Sequence, residues 1–317
     1  MLAGDPRALA RLISLVENRH PSMPEIMKRV YECAGQARII GITGPPGAGK
    51  STLVDQLAGE YRARGLKVGI VAIDPSSPFS GGALLGDRVR MMRHAADPGV
   101  FIRAVGTRGS HGGLSRATRE VVHLFDAAGY EIVLVETVGV GQTELDIMEL
   151  AHSILVVLVP ESGDTVQTMK AGLTEIADLF VVNKADRDGA DRLAKELEAM
   201  VELAQRADWS PPVLLTAAFR GQGIDRVAEA LDRHYEFARD RGLFERQRAA
   251  ANLTEFVEVI VDEIGTRIRG GGASNDLERL IRQVRQGELN PYLAALQVLH
   301  DPGRLRDLFN DPESEDN

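Results

Sequence analysis

Cysteine is nearly missing from this 317-residue chain, where Cys33 is the only one. One chain therefore holds no internal disulfide and no metal site built on paired cysteines. Cys33 is expected to be a small apolar filler on a helix. An excess of positive charge is missing too. The net charge is −9, which leaves nucleic acid and acidic membrane surfaces without an electrostatic footprint. Membrane-length apolar runs are also missing. The longest, such as Ile154 to Val159, have the length of a strand and cannot span a bilayer. Met1 to Arg11 carries no apolar signal core, so the expected location is the cytoplasm, or an organelle matrix if a targeting segment was removed. What remains is ordinary for a soluble globular chain: 44% hydrophobic and 26% charged residues.

The most informative stretch is Gly44-Pro45-Pro46-Gly47-Ala48-Gly49-Lys50-Ser51-Thr52. It fits G-x-x-x-x-G-K-[ST], a phosphate-binding loop. A short apolar run, Arg38 to Thr43, precedes it, and a helical pattern from Ser51 to Ala58 follows. The glycines let several backbone N–H groups converge on one spot, and the helix N-terminus adds its positive end there. Lys50 would reach the β- and γ-phosphates, and the Ser51 hydroxyl would ligate Mg²⁺.

Around this loop the pattern alternates strand and helix. Strands are predicted at Arg38–Thr43, Lys67–Asp74, Val100–Val105, Glu131–Glu136, Ile154–Val159, Leu179–Asn183 and Val213–Thr216, with helices between them such as Ser115–Ala128 and Ala190–Arg206. Continuous apolar strands imply a parallel sheet covered on both faces. The expected fold is a doubly wound, mostly parallel α/β sheet over 37–235, with a helical segment before it (1–36). A helical dimerisation arm (236–310) and a disordered acidic tail (311–317) are expected after it. Asp5 is expected to cap the first helix, and Ser22 with Glu25 to form a capping box for the second. In the arm, Leu253, Phe256, Val257, Ile260, Val261, Ile264 and Ile268 recur at helical spacing. Pro291 opens a later helix whose apolar residues are Leu293, Leu296 and Leu299.

In such sheets ligands bind at the carboxyl ends of the strands. Asp74 ends the second strand and is a candidate Mg²⁺ ligand, directly or through water. A Gly-rich loop follows and carries Asp87, a second candidate for a metal or water contact. Glu136 ends the fourth strand. It occupies the position of the Walker B acid, and the Gly139 N–H would reach the γ-phosphate. Val140 cannot orient a water and Gln142 lies further on, so slow unassisted hydrolysis is expected. After the sixth strand, Asn183-Lys184-Ala185-Asp186 fits N-K-x-D. A carboxylate at Asp186 accepts from guanine N1–H and the 2-amino group, whereas adenine would leave it unpaired. Asn183 would hold the loop, and the Lys184 stem would lie on the ring face. In Thr216-Ala217-Ala218, a backbone N–H would take the guanine oxygen. The candidate catalytic residues are thus Lys50, Asp87, Glu136 and Gly139, and the metal set is Ser51, Asp74, Asp87 and Glu136.

Four stretches, GITGPPGAGKST at 41–52, VAIDPSSPFSGGALLGDRVRM at 71–91, VETVGVGQTE at 135–144 and VVNKAD at 181–186, resemble the MeaB/ArgK-type GTPases, which include the methylmalonic aciduria type A protein. The resemblance covers most of residues 20–300. It implies a homodimeric G-protein that acts on an adenosylcobalamin-dependent acyl-CoA mutase, chiefly methylmalonyl-CoA mutase, gating cofactor loading and protecting or reactivating it. It also implies switch loops at 80–91, 136–146 and 161–170, with Asp74, Asp87 and Glu136 around Mg²⁺. Two other readings are a metallochaperone GTPase for nickel or cobalt and a small-molecule P-loop kinase. The first would need clustered His or Cys, which are scattered here. The second would leave N-K-x-D unexplained.

Overall fold

The computed structural model describes residues 1, 4–74, 92–94, 96–106, 116–137, 143–162, 176–204, 208–270 and 275–307. Two helices come first. Helix α1 (Pro6–Glu17) starts at Asp5, whose carboxylate accepts the Arg7 N–H at 2.8 Å. Helix α2 (Met23–Tyr31) starts differently from the expectation. Ser22 makes no side-chain cap bond. Its hydroxyl pairs with His20 Nδ1 at 2.7 Å instead, because the tight turn brings the imidazole within reach. Cys33 is exposed in the turn beyond α2 and fills no core.

Seven strands then form one sheet: β1 (Arg38–Thr43), β2 (Val68–Asp74), β3 (Val100–Gly106), β4 (Ile132–Glu136), β5 (Ser153–Leu158), β6 (Leu179–Val182) and β7 (Val213–Leu215). Their order is β3-β2-β4-β1-β5-β6-β7 and every pairing is parallel. The intervening helices are α3 (Lys50–Ala63), α4 (Arg116–Ala127), α5 (Thr143–Leu150), α6 (Ala190–Leu203) and α7 (Ile224–Asp240).

Period-2 alternation sends each strand's residues to two separate cores. One face gathers Ile39, Val71, Val133, Val156 and Phe180 beneath α1, α2, α4, α5 and α6. The other gathers Ile40, Ile42, Ile70, Leu134, Leu155 and Val181 beneath α3 and α7. Helices α1 and α2 rest on α4, so they belong to the first layer. Each large apolar side chain withdrawn from water contributes roughly 1.5–3 kcal/mol, and close packing leaves no slack. A Cβ at Gly41 would stand 2.6 Å from Ile147 Cδ1 of α5, and one at Gly69 would stand 2.8 Å from Phe125 Cδ1 of α4.

The chain divides into two compact units, 1–249 and 250–317. Helix α8 (Leu243–Gly270) begins in the first and ends in the second. The second unit has its own small core. Leu277 and Leu280 of α9 (Asn275–Arg285) meet Ala294 and Val298 of α10 (Pro291–Leu299). A short helix α11 (Pro302–Asp307) follows. The inward face of α10 is Ala294 and Val298, whereas Leu293 and Leu299 are exposed. The phase is set by Asn290, which caps the Tyr292 and Leu293 N–H groups. Among the described residues no helix is long and apolar enough to cross a membrane.

Candidate nucleotide site

The register brings three strand ends together. Ile42 of β1 stands opposite Glu136 of β4 on one side and Leu155 of β5 on the other. The loop after β1 therefore opens at the middle of the sheet, where the strand order reverses and ligands settle. Gly44 leaves β1 with φ at 142°, and a Cβ there would lie 2.0 Å from the Val157 carbonyl oxygen. Only glycine fits. Gly49 has φ at 85° and starts α3, and its missing Cβ makes room for the Asn183 amide. Ala48, between Gly47 and Gly49, is fully buried, and its N–H donates to the Pro45 oxygen at 3.2 Å. Pro46 is exposed, and Thr52 lies in the first turn of α3.

Lys50 is buried, and its ammonium donates to the Gly44 oxygen at 2.7 Å and the Pro45 oxygen at 3.1 Å. That pins the cation over the loop. Glu136 is buried as well, and its Oε1 accepts the Ser51 hydroxyl at 2.6 Å. The sequence placed Ser51 and Glu136 at one metal, and the fold sets them in contact. Beyond Glu136, the Thr137 hydroxyl donates to Thr43 Oγ1 at 2.9 Å, which ties β4 to the strand that feeds the loop. Of the other expected residues, Asp74 ends β2 but its side chain lies outside the described residues. Asp87, Gly139, Val140 and Gln142 also lie outside them, as do all of the 80–91 stretch and 163–170 of the 161–170 stretch.

The N-K-x-D stretch reaches back to the same loop. Asn183 is 3% exposed. Its Nδ2 donates to the Ala48 oxygen at 2.9 Å, and its Oδ1 accepts both the Thr216 hydroxyl and the Ala218 N–H at 3.1 Å. One amide thus links the phosphate loop, β6 and the turn after β7. Lys184 has φ at 56° and donates to the Gly47 oxygen at 2.8 Å, so its stem runs from the end of β6 to the phosphate loop. The Ala217 N–H bonds the Gln222 oxygen and the Ala218 N–H bonds Asn183, so both amides serve the loop's own structure.

Some contacts carry no motif and were missed. Arg220 Nη2 lies 3.3 Å from Asp186 Oδ2. Arg187 pairs with Glu161, and that hydrogen bond holds the Glu161 carboxyl below its usual range. Asp55 of α3 is buried, accepts from Arg93 at 3.1 Å, and faces His94 Nε2 at 3.3 Å. The one available signal was a carboxylate among the apolar residues Leu53, Val54, Leu57 and Ala58.

A parallel sheet with a phosphate loop at its centre, a buried acid beside that loop and an Asn-Lys-x-Asp stretch bonded to it defines a P-loop nucleotide-binding protein of the GTPase class. Within that class the chain belongs to the family described as methylmalonyl Co-A mutase-associated GTPase MeaB, whose model matches residues 9–273. A provisionally named GTPase of Pyrococcus abyssi is 47% identical over 305 residues, covering 95% of this chain and 94% of the relative. The mitochondrial methylmalonic aciduria type A homolog of Caenorhabditis elegans is 33% identical over 93% of this chain and 79% of its own. A crystal structure described as LAO/AO transport system kinase superposes with a TM-score of 0.69 at 27% identity, covering 94% of this chain and 93% of that one.

Proposed function

We propose that the chain binds GTP and GDP with Mg²⁺, hydrolyses GTP slowly by itself, and serves as a chaperone of an adenosylcobalamin-dependent acyl-CoA mutase. The observation that carries the nucleotide reading is the Asn183 amide, which joins the phosphate loop to the base-reading turn. Gly44 to Thr52 would cradle the phosphates, with Lys50 on the β- and γ-oxygens. Asp186 would read the guanine edge, with Asn183, Lys184 and the Thr216–Ala218 turn holding the pocket's shape. The Ser51 hydroxyl and the Glu136 carboxylate are hard oxygen donors in contact beside the loop, which suits Mg²⁺. Asp74 and Asp87 would complete that set. Bound there, the ion would offset charge on the phosphates. Asp87 and the Gly139 N–H would act on the γ-phosphate and the attacking water.

The partner reading rests on the family's description and on the name of the nematode relative. Both point to methylmalonyl-CoA mutase, with the nucleotide state gating cofactor loading and protection. A homodimer is part of the same reading. Leu253, Phe256, Val257, Ile260 and Val261 of α8 are all exposed, a contiguous apolar stripe of the kind that association buries. The test is GTP turnover by the purified chain, alone and with methylmalonyl-CoA mutase. Slow turnover that rises about tenfold or more, about 1.4 kcal/mol of barrier, is expected. Turnover that ignores the mutase would refute the chaperone reading, and no turnover under either condition would refute the GTPase reading with it.

A further inference from the structure

Helix α3 carries Lys50 and Ser51 in its first turn, and one face of it is engaged at successive turns. Ser51 meets Glu136. One turn further, Asp55 is 6% exposed and accepts from Arg93 Nη1 at 3.1 Å. His94 Nε2 stands 2.9 Å from the Asp55 carbonyl oxygen and 3.3 Å from its Oδ1, so that nitrogen carries the hydrogen. Gly59 follows and leaves the imidazole room, since a Cβ there would already stand 3.7 Å from His94 Cε1. Near the end of the helix, Arg62 donates to both carboxylate oxygens of Asp97, at 2.9 and 3.0 Å. A Cβ at Gly99 would lie 2.2 Å from Arg62 Cζ, so the backbone that enters β3 runs directly over the guanidinium. Positions 51, 55, 59 and 62 share one helix face. The chain before β3 is thus a strap along the flank of α3 that also carries Ser51.

The rest of α3 is held differently. Leu53, Val54, Leu57 and Ala58 sink into the core shared with Val227 and Leu231 of α7. Apolar burial is non-directional, so it sets the roll of a helix about its axis less sharply than paired charges do. Roll matters at Ser51. At a side-chain radius of about 5 Å, a turn of about 10° moves a hydroxyl by about 1 Å, and Mg²⁺ demands near-ideal ligand geometry. We propose that Asp55, together with Arg62, fixes the roll of α3 and is a positioning residue for Mg²⁺ at Ser51 and Glu136. The inference rests on the nucleotide and Mg²⁺ reading above and adds to it residues outside every motif of the site. Asp55 acts through Ser51 and touches neither ion nor nucleotide.

The test uses the full chain with GDP and titrated Mg²⁺. Asp55→Asn keeps the side chain's shape and removes its charge. The Mg²⁺ affinity of its GDP complex, measured by calorimetry, is expected to fall about tenfold, within the range for losing a group that orients a metal ligand. GTP turnover at a fixed, subsaturating Mg²⁺ concentration should fall with it. GDP affinity without Mg²⁺ should stay within twofold of wild type, because the phosphate loop and the N-K-x-D stretch are untouched. Arg62→Gln should move Mg²⁺ affinity the same way. Arg93 is exposed, so Arg93→Ala keeps the fold and should cost about threefold, as a weaker tie. Mg²⁺ affinity within twofold of wild type in both Asp55→Asn and Arg62→Gln would overturn the proposal, as would a Mg²⁺-free GDP affinity that falls in step. Should those two variants fail to fold, an unchanged Mg²⁺ affinity in Arg93→Ala would overturn it as well. A wild-type GDP complex that takes no Mg²⁺ would instead sink the Mg²⁺ reading, and absence of GDP binding the nucleotide reading, each with this proposal.

Discussion

Replacing Asn183 with alanine should cost the first unit about 3 kcal/mol of stability. The side chain is 3% exposed and makes three hydrogen bonds, at 2.9, 3.1 and 3.1 Å. Each is worth about 1 kcal/mol net. The loss is not softened at the other end, because Ala48, Thr216 and Ala218 are themselves 0–1% exposed. Their carbonyl, hydroxyl and N–H would be left buried, and each orphaned group costs about 1–3 kcal/mol unless water enters the space vacated. The assay is urea unfolding followed by the emission of Trp209, the only tryptophan. It lies in the same unit, with its ring 4.9 Å from that of His234. Arg192→Ala is the comparator. It removes an exposed pair with Glu196 on α6 and should change stability by less than about 0.5 kcal/mol. The same Asn183→Ala protein should bind GDP more weakly, since the phosphate loop and the base-reading turn lose their shared tie. A stability loss below about 1 kcal/mol would show that Asn183 is not the clasp described here.

Asp186→Asn should move preference from GTP toward xanthosine triphosphate, because the amide offers a donor where the xanthine edge has an oxygen. Intact GTP affinity after that change would remove Asp186 from the base contact. Acid should weaken the fold through His152, whose pKa burial pushes down to about 4. Its Nδ1 accepts the Ile39 N–H at 3.0 Å, which requires the neutral ring. The folded pKa lies below the unfolded one, so this stability is complete above about pH 6.5 and is lost as pH falls toward 4, by up to about 3 kcal/mol. Unfolding free energy measured between pH 7 and 4 should fall steeply in wild type and more gently in His152→Gln, whose amide oxygen still accepts that N–H. Equal slopes would exclude His152 as the source. Phe256→Asp should convert a dimer into single chains by sedimentation, and an unchanged mass would take the α8 stripe out of the interface.

The strands were legible because they are parallel and buried on both faces, so each reads as an unbroken apolar run. All seven lie within a residue or so of the expected bounds. The same property hid which face each residue serves. Ile39 and Ile40 are neighbours of one type, yet they belong to different cores. Only the helices assign the faces, and the place of α1 and α2 on α4 has no local signature. Ser22 failed as a capping box for a related reason. The motif scores residues three apart, while the outcome turned on His20, two residues before it.

The site divides along the same line. Gly44, Glu136 and Asn183 were readable because they sit where strands end, and Lys50 and Ser51 because they open α3 right after the glycine-rich loop, where phosphate chemistry dictates the residue type. What tightens the site is not readable that way. Arg220 meets Asp186 from 34 positions away, and His94 meets Asp55 from 39 away. No spacing rule links either pair. In the second pair, the informative residue is the one that looks misplaced alone, a carboxylate inside an apolar helix face. On the turn that holds Asn183, Phe219 is 92% exposed, whereas Lys50, Glu136 and Asn183 are buried.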